Sequence, residues 1–253
     1  MRDRIETFQV GASVRVVAGT RSGDIAVVVG SPGTVQVAMD GAGAESFQID
    51  QIGDVITVDS KRKGIFSSST DIVLTVPSST RLELSCTSGD IDVQGDVEEL
   101  RASVASGDVR AETVRSVCHV NSASGDITIG AAGDVEINTA SGTVRVDRVA
   151  HNLRLNSASG DVYIDEIGDT SRSKVASSTV RIGAFQGTEV RHKSMSGDLY
   201  LGIPRRRSVE LDFASLSGRL RNHISKGDGG PSEKLLVVSV NAVSGDLILQ
   251  DAN

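Results

Sequence analysis

The chain has no tryptophan, and aromatic residues make up only 3% of its 253 residues. A core built around large rings is therefore excluded. The interior has to be assembled from small and β-branched side chains, which suits two layers of strands lying close together. Proline is scarce too, at 4 residues against 27 glycines, which excludes collagen; with 38% of residues hydrophobic, general disorder is excluded as well. No stretch approaches 18 uncharged apolar residues. The opening Met1-Arg2-Asp3-Arg4-Ile5-Glu6-Thr7 lacks the apolar core of a secretory signal. These two absences predict no membrane span and a cytoplasmic protein. Positive charge is also in deficit: the formal net charge of -7 opposes the broad positive field of non-specific nucleic-acid binders and leaves room only for a local basic stripe. Cys86 and Cys118 are too few for a disulfide framework and lack metal-ligand spacing, so they read as small buried hydrophobes in a reducing compartment.

What the sequence does have is a repeat. The triplets Ser88-Gly89-Asp90, Ser106-Gly107-Asp108, Ser124-Gly125-Asp126, Ser141-Gly142-Thr143, Ser159-Gly160-Asp161 and Ser196-Gly197-Asp198 fall about 18 residues apart, and Ser177-Ser178-Thr179 fills the gap between the last two. Ser217-Gly218-Arg219 and Ser244-Gly245-Asp246 continue the series after longer excursions, which read as loops inserted near 204–208 and 222–234. Numbering each coil from its Ser, places four and six are apolar, as in Ile91 and Val93, Ile127 and Ile129, or Val162 and Ile164. A second alternating run occupies about places 13, 15 and 17, as in Leu100-Ala102-Val104 and Leu153-Leu155-Ser157. Period two in both runs means two short strands per coil.

Strands this short cannot bury a face alone, and no useful 3.6-residue periodicity is present. Stacking like strands of successive coils into parallel ladders is the economical solution. The expected fold is all-β: a single-domain parallel β-solenoid, or β-helix, with coils of about 18 residues. At each corner Gly supplies a positive φ or a close approach, and Ser and Asp bond their own backbone as short turns. Residues 1–85 carry the same chemistry less regularly, from Val14-Val16-Ala18 and Ser22-Gly23-Asp24 to Ile72-Leu74-Val76. They are expected to form irregular N-terminal coils or a cap continuous with the regular repeat of 86–253. Because open strand edges recruit other chains, this segment and the loop around Gly227 to Pro231 are the candidate caps.

The recurring Ser-Gly-Asp-(Val/Ile)-x-(Val/Ile) units from about Val14 to Leu249 resemble the bacterial "putative adhesin" family of SGD-repeat β-strand proteins. The resemblance implies a β-helix scaffold and an adhesin-like role, with many relatives exported or membrane-anchored.

The row of corner carboxylates, Asp90, Asp108, Asp126, Asp161 and Asp198, is interrupted by Thr143 and Thr179. It lacks the nonapeptide pattern of calcium-binding rolls, so it reads as turn chemistry. His119, His151, His192 and His223 show no metal or nucleophile spacing and read as surface or loop residues; no catalytic residue, metal or cofactor is expected. The outward places of the second strand are more informative. One ladder carries Arg101, His119, Arg154, Arg172 and Arg191, with Glu136 among them, and the next carries Asn138, Asn156, Lys174 and Lys193. Together they form a candidate interaction stripe for an acidic surface or polyanion, against the alternative of a merely solvated sheet face. The outward place of the first strand carries Arg110, Arg145, Tyr163, Arg181 and Tyr200, a second candidate face. The run Arg205-Arg206-Arg207 reads as a charged loop. Three functions follow in order: a non-catalytic interaction or scaffold protein with a protein partner, a self-assembling element pairing through its end coils, and an adhesin-like glycan-binding module.

Overall fold

The computed structural model describes residues 4–60, 69–205, 207–225 and 235–252. These form two compact units, Met1–Thr128 and Ile129–Asn253. Both are built from β-solenoid coils, as the period-two runs require. Places four and six of the first strand point inward and are sealed: Ile91, Val93, Val109, Ile127, Val162 and Val180 are fully buried. Each such Val, Leu or Ile contributes roughly 1.5–3 kcal/mol of burial.

The N-terminal unit contains β1 (Arg4–Gln9), β2 (Arg15–Ser22), β3 (Ile25–Val29), β4 (Thr34–Asp40), β5 (Phe47–Ile52), β6 (Val55–Ser60), β7 (Asp71–Val76), β8 (Arg81–Ser88), β9 (Ile91–Val97), β10 (Glu99–Ser106) and β11 (Val109–Ser124). One ladder runs β6, β2, β8, β10 and the second half of β11, all parallel, with β5 closing it antiparallel on β6. The other runs β7, β3, β9 and the first half of β11, again parallel, with β4 and then β1 added antiparallel beyond β7. The coil of β2 and β3 thus lies between two coils that follow it in sequence, and Ser22 stands in register with Ser88. A spacing pattern reports that coils exist but not the order in which they stack.

The C-terminal unit takes up the chain within β12 (Ile127–Ser141) and continues with β13 (Val144–Val149), β14 (Asn152–Ser159), β15 (Val162–Ile167), β16 (Thr170–Ser177), β17 (Val180–Phe185), β18 (Glu189–Ser196), β19 (Leu199–Ile203), β20 (Ser208–Ser215), β21 (Leu220–His223), β22 (Leu235–Ala242) and β23 (Leu247–Asp251). One parallel ladder runs from Val135–Thr139 of β12 through β14, β16, β18 and β22 to β20. The other runs β13, β15, β17, β19, β23 and β21. Here too one coil is displaced: β22 and β23 slot between the coil of β18 and β19 and the outermost coil of β20 and β21. The expected cap loop Gly227 to Pro231 lies outside the described residues, as does Arg206.

The corners differ from expectation in one respect. The aspartates do not mainly bond their own turn. At four corners of the N-terminal unit an aspartate Oδ1 accepts the backbone N–H of the matching residue in the adjacent coil: Asp71 from Asp24, Asp24 from Asp90, Asp90 from Asp108, and Asp108 from Asp126, at 2.8–2.9 Å. Asp198 does the same for Asp246, and Asp246 for Arg219. The corner carboxylates are therefore rivets between coils. Glycine is required beside them because the backbones nearly touch: at Gly107, with φ of 139°, an added Cβ would stand 2.1 Å from the Gly89 carbonyl oxygen.

Two core features escape the period-two reading. A further apolar residue near place nine, Val97, Val114, Val149, Ile167 or Phe185, is fully buried at the far end of the first strand. A register shift between Ala111 and Thr113 turns Val114 inward, in line with Val97. The second feature corrects the reading of the histidines: His192 is not on the surface but 1% exposed, inward on β18 beside Ser173 of β16.

Candidate binding faces

Outward side chains on the ladder of β14, β16 and β18 stand in register, Arg154 beside Arg172 beside Arg191, and Asn156 beside Lys174 beside Lys193. Parallel pairing at about 4.8 Å per strand forces these like charges into rows. The same five cations, with Asn156 and Ser173, line a shallow groove of about 270 Å³. Neutralisation is incomplete. Glu189 pairs with both Arg172 (2.6 Å) and Arg191 (2.7 Å), and Glu136 reaches Arg154 at 3.6 Å. Among the described residues no carboxylate lies within 4.0 Å of Lys174 or Lys193. Asn156 Nδ2 donates to Asn138 Oδ1 at 2.7 Å, a coil-to-coil amide bond of the kind that stiffens stacked strands. The result is a rigid face with five cations and two carboxylates in a protein of negative net charge.

The other two stripe residues belong to the N-terminal unit. Arg101 on β10 stands beside His119 on β11, and His119 Nε2 lies 2.9 Å from Asn121 Nδ2. Their setting is mixed in charge. Arg101 shares a groove of about 420 Å³ with Arg15, Arg81, Glu83 and Glu99; Arg15 is bonded to Glu83, and Arg81 lies 3.5 Å from Glu99. Alternating signs across neighbouring strands satisfy one another here, unlike on β14, β16 and β18.

On the first-strand face the structure brings Arg145, Tyr163, Arg181 and Tyr200 into one column on β13, β15, β17 and β19. The guanidinium of Arg181 lies 5.4 Å from the Tyr163 ring centre and 4.7 Å from that of Tyr200, and Arg145 sits 5.5 Å from Tyr163. Tyr163 thus meets a guanidinium from each neighbouring coil, and Tyr200 meets one. Arg110, in the N-terminal unit, is held by Asp108 at 2.6 Å and Asp90 at 3.7 Å. Of the arginine loop, Arg207 turns back and donates to the carbonyls of Phe185 (3.2 Å) and Gly187 (2.6 Å), a structural use invisible to charge counting.

Both cysteine thiols are buried. Burial pushes the Cys118 thiol up to about 12 and also raises Cys86. Burial lowers His192 to about 4, so it is neutral; its Nδ1 lies 2.7 Å from Ser173 Oγ, and its Nε2 has no partner among the described residues. Nor do three His, Cys, Asp or Glu side chains converge among the described residues. No helix there is long and apolar enough to cross a membrane.

Comparison with known proteins fits this architecture. The Toastrack DUF4097 family profile matches residues 22–250. The chain belongs to the Toastrack DUF4097 family. Solved structures similar to this Toastrack chain include a "putative adhesin" from Parabacteroides distasonis, 12% identical with a TM-score of 0.50, covering 97% of this chain and 96% of that one. Another, from Bacteroides fragilis, is 12% identical with a TM-score of 0.44, covering 97% and 96%. A "putative lipid binding protein" from P. distasonis is 9% identical with a TM-score of 0.38, covering 96% of each chain. At such identities the likeness is one of fold. No functionally curated protein matches the chain.

Proposed function

We propose that this Toastrack protein is a non-catalytic cytoplasmic binding protein whose C-terminal unit presents the Arg154, Arg172, Arg191, Lys174 and Lys193 face to an acidic surface on a protein partner. The observation that carries the reading is the pair of lysines left without a carboxylate in a row where Glu189 and Glu136 already engage the arginines. Cations held in rows by the strand register, with the unpaired ammonium groups beside the arginines, supply attraction and on-rate. Overall negative charge disfavours long nucleic acids while leaving a local cationic patch usable. The adhesin names of the structural neighbours support binding over catalysis.

The test is affinity capture from the native cytosol with the wild type beside a Lys174→Glu/Lys193→Glu variant. These lysines have no internal ion pair to lose, so folding should be unaffected. A stoichiometric partner retained by the wild type and lost by the variant, with salt-sensitive binding, is the expected result. Capture undiminished by the reversal, or a partner found only in the membrane or extracellular fraction, refutes the reading.

A further inference from the structure

Among the described residues no strand lies beyond the outermost coil of the C-terminal unit. Among the described residues β20 pairs with β22 alone and β21 with β23 alone, so both strands show a free edge. The side chains of β20 that point along the core, Val209, Leu211 and Phe213, remain half-exposed, whereas their neighbours Leu236, Val238 and Val240 on β22 are buried. Leu220 at the start of β21 is 43% exposed. The outer strand of the N-terminal unit is finished differently: Arg4 of β1 pairs with Glu6 and donates to the carbonyls of Ala44 and Phe47, so charged groups cover that end.

The two open edges carry opposite charge. On β20 the outward residues are Glu210 and Asp212; on β21 they are Arg221, which also pairs with Asp246 at 2.9 Å, and His223, with Arg219 at the corner between the strands. A two-sided coil reverses its chain direction at each corner, so a second copy can meet this end about two possible two-fold axes. One sets β20 against the partner's β20 and β21 against the partner's β21, placing like charges side by side. The other, along the strand direction, sets β20 antiparallel to the partner's β21, and β21 to the partner's β20. Acid then faces base at both contacts. We propose that the β20/β21 end is a homodimer interface of this second kind, in which two copies continue each other's ladders and cores. The match uses both edges of each copy, so the assembly closes at two.

Sedimentation of the full chain over a range of concentrations tests this, alone and with two variants, Glu210→Lys/Asp212→Lys and Arg219→Glu/Arg221→Glu. Expected is a monomer–dimer equilibrium that weakens as salt is raised. Each variant alone should dimerise at least ~10-fold less tightly, because attraction becomes repulsion at both symmetric contacts. Mixing the two variants should restore a heterodimer, since reversed β20 then faces reversed β21; this also shows that both variants are folded. A wild type that stays monomeric at every concentration overturns the proposal, as does growth beyond the dimer. So does a dimer that tightens with salt or ignores both reversals, or a mixture that fails to pair. The cationic groove on β14, β16 and β18 is untouched by these variants, so loss of the dimer and loss of partner capture are separate outcomes.

Discussion

His192 offers a direct measurement of what a buried polar group costs this fold. Its imidazole is 1% exposed, faces Ser173 with one nitrogen, and has no partner for the other among the described residues. Burial lowers it to about 4 from 6.5. Because the folded form binds a proton less readily than the unfolded chain, the stability associated with this site is whole above pH 6.5 and is lost as the pH falls towards 4. The full loss is about 3 kcal/mol, and at pH 5 it is already about 2 kcal/mol. Replacing the ring with the β-branched apolar residue that strands favour, His192→Val, removes the titration. Urea unfolding followed by circular dichroism, with both proteins at neutral pH and again near pH 5, should show the variant gaining on the wild type by about 2 kcal/mol between the two. Parallel losses in the two proteins would refute the assignment of a neutral, desolvated imidazole in the core.

Three further outcomes follow from the packing. Gly107→Ala forces a Cβ to 2.1 Å from the Gly89 carbonyl oxygen at φ 139°, and should cost at least ~2 kcal/mol in thermal or urea unfolding. Asp108→Ala removes the acceptor for the Asp126 amide and should cost about 1 kcal/mol, while Asp108→Asn, which keeps an oxygen in place, should cost clearly less; equal losses would contradict the rivet role. Cys118, whose thiol burial pushes up to about 12, should resist a thiol reagent in native protein until the chain unfolds; prompt labelling of Cys118 in the native state would show that this stretch of the core opens.

The repeat made the coil legible because strand periodicity and corner chemistry are local. Ile91 and Val93, or Leu153 and Leu155, announce an inward face by alternation alone, and Gly107 announces a corner by being the one residue that tolerates it. Three things were not local. Val114 lies beyond the register shift between Ala111 and Thr113, and Ile167 stands three residues after Ile164; in both the count of two breaks, so their burial had no periodic signature. The coil from Ser177 to Ser196 is one residue longer than the coil from Ser159 to Ser177, so His192 moves inward opposite Ser173 while Arg191 stays outward opposite Arg172. Coil order was hidden altogether, since an inserted coil has the same sequence pattern as one added at the end. The candidate faces follow the same division. Arg154, Arg172 and Arg191 could be aligned from spacing, but the counter-charges from Glu136 and Glu189, and the guanidinium contacts of Tyr163 and Tyr200, depend on side-chain reach between coils.

The slotting of β22 and β23 between two earlier coils has a consequence for how the chain acquires its structure during synthesis. A solenoid whose coils stacked in the order they are made could lengthen turn by turn as it leaves the ribosome. Here β20 and β21 emerge before the strands that join them to the rest of the unit are made. Residues 208–223 lack their native neighbours, Val209, Leu211 and Phe213 among them, until residues 235–251 are synthesised. Completion of this unit is thus tied to its last strands, and a nascent chain stalled before them carries an exposed apolar strand of the kind that chaperones hold and proteases cut.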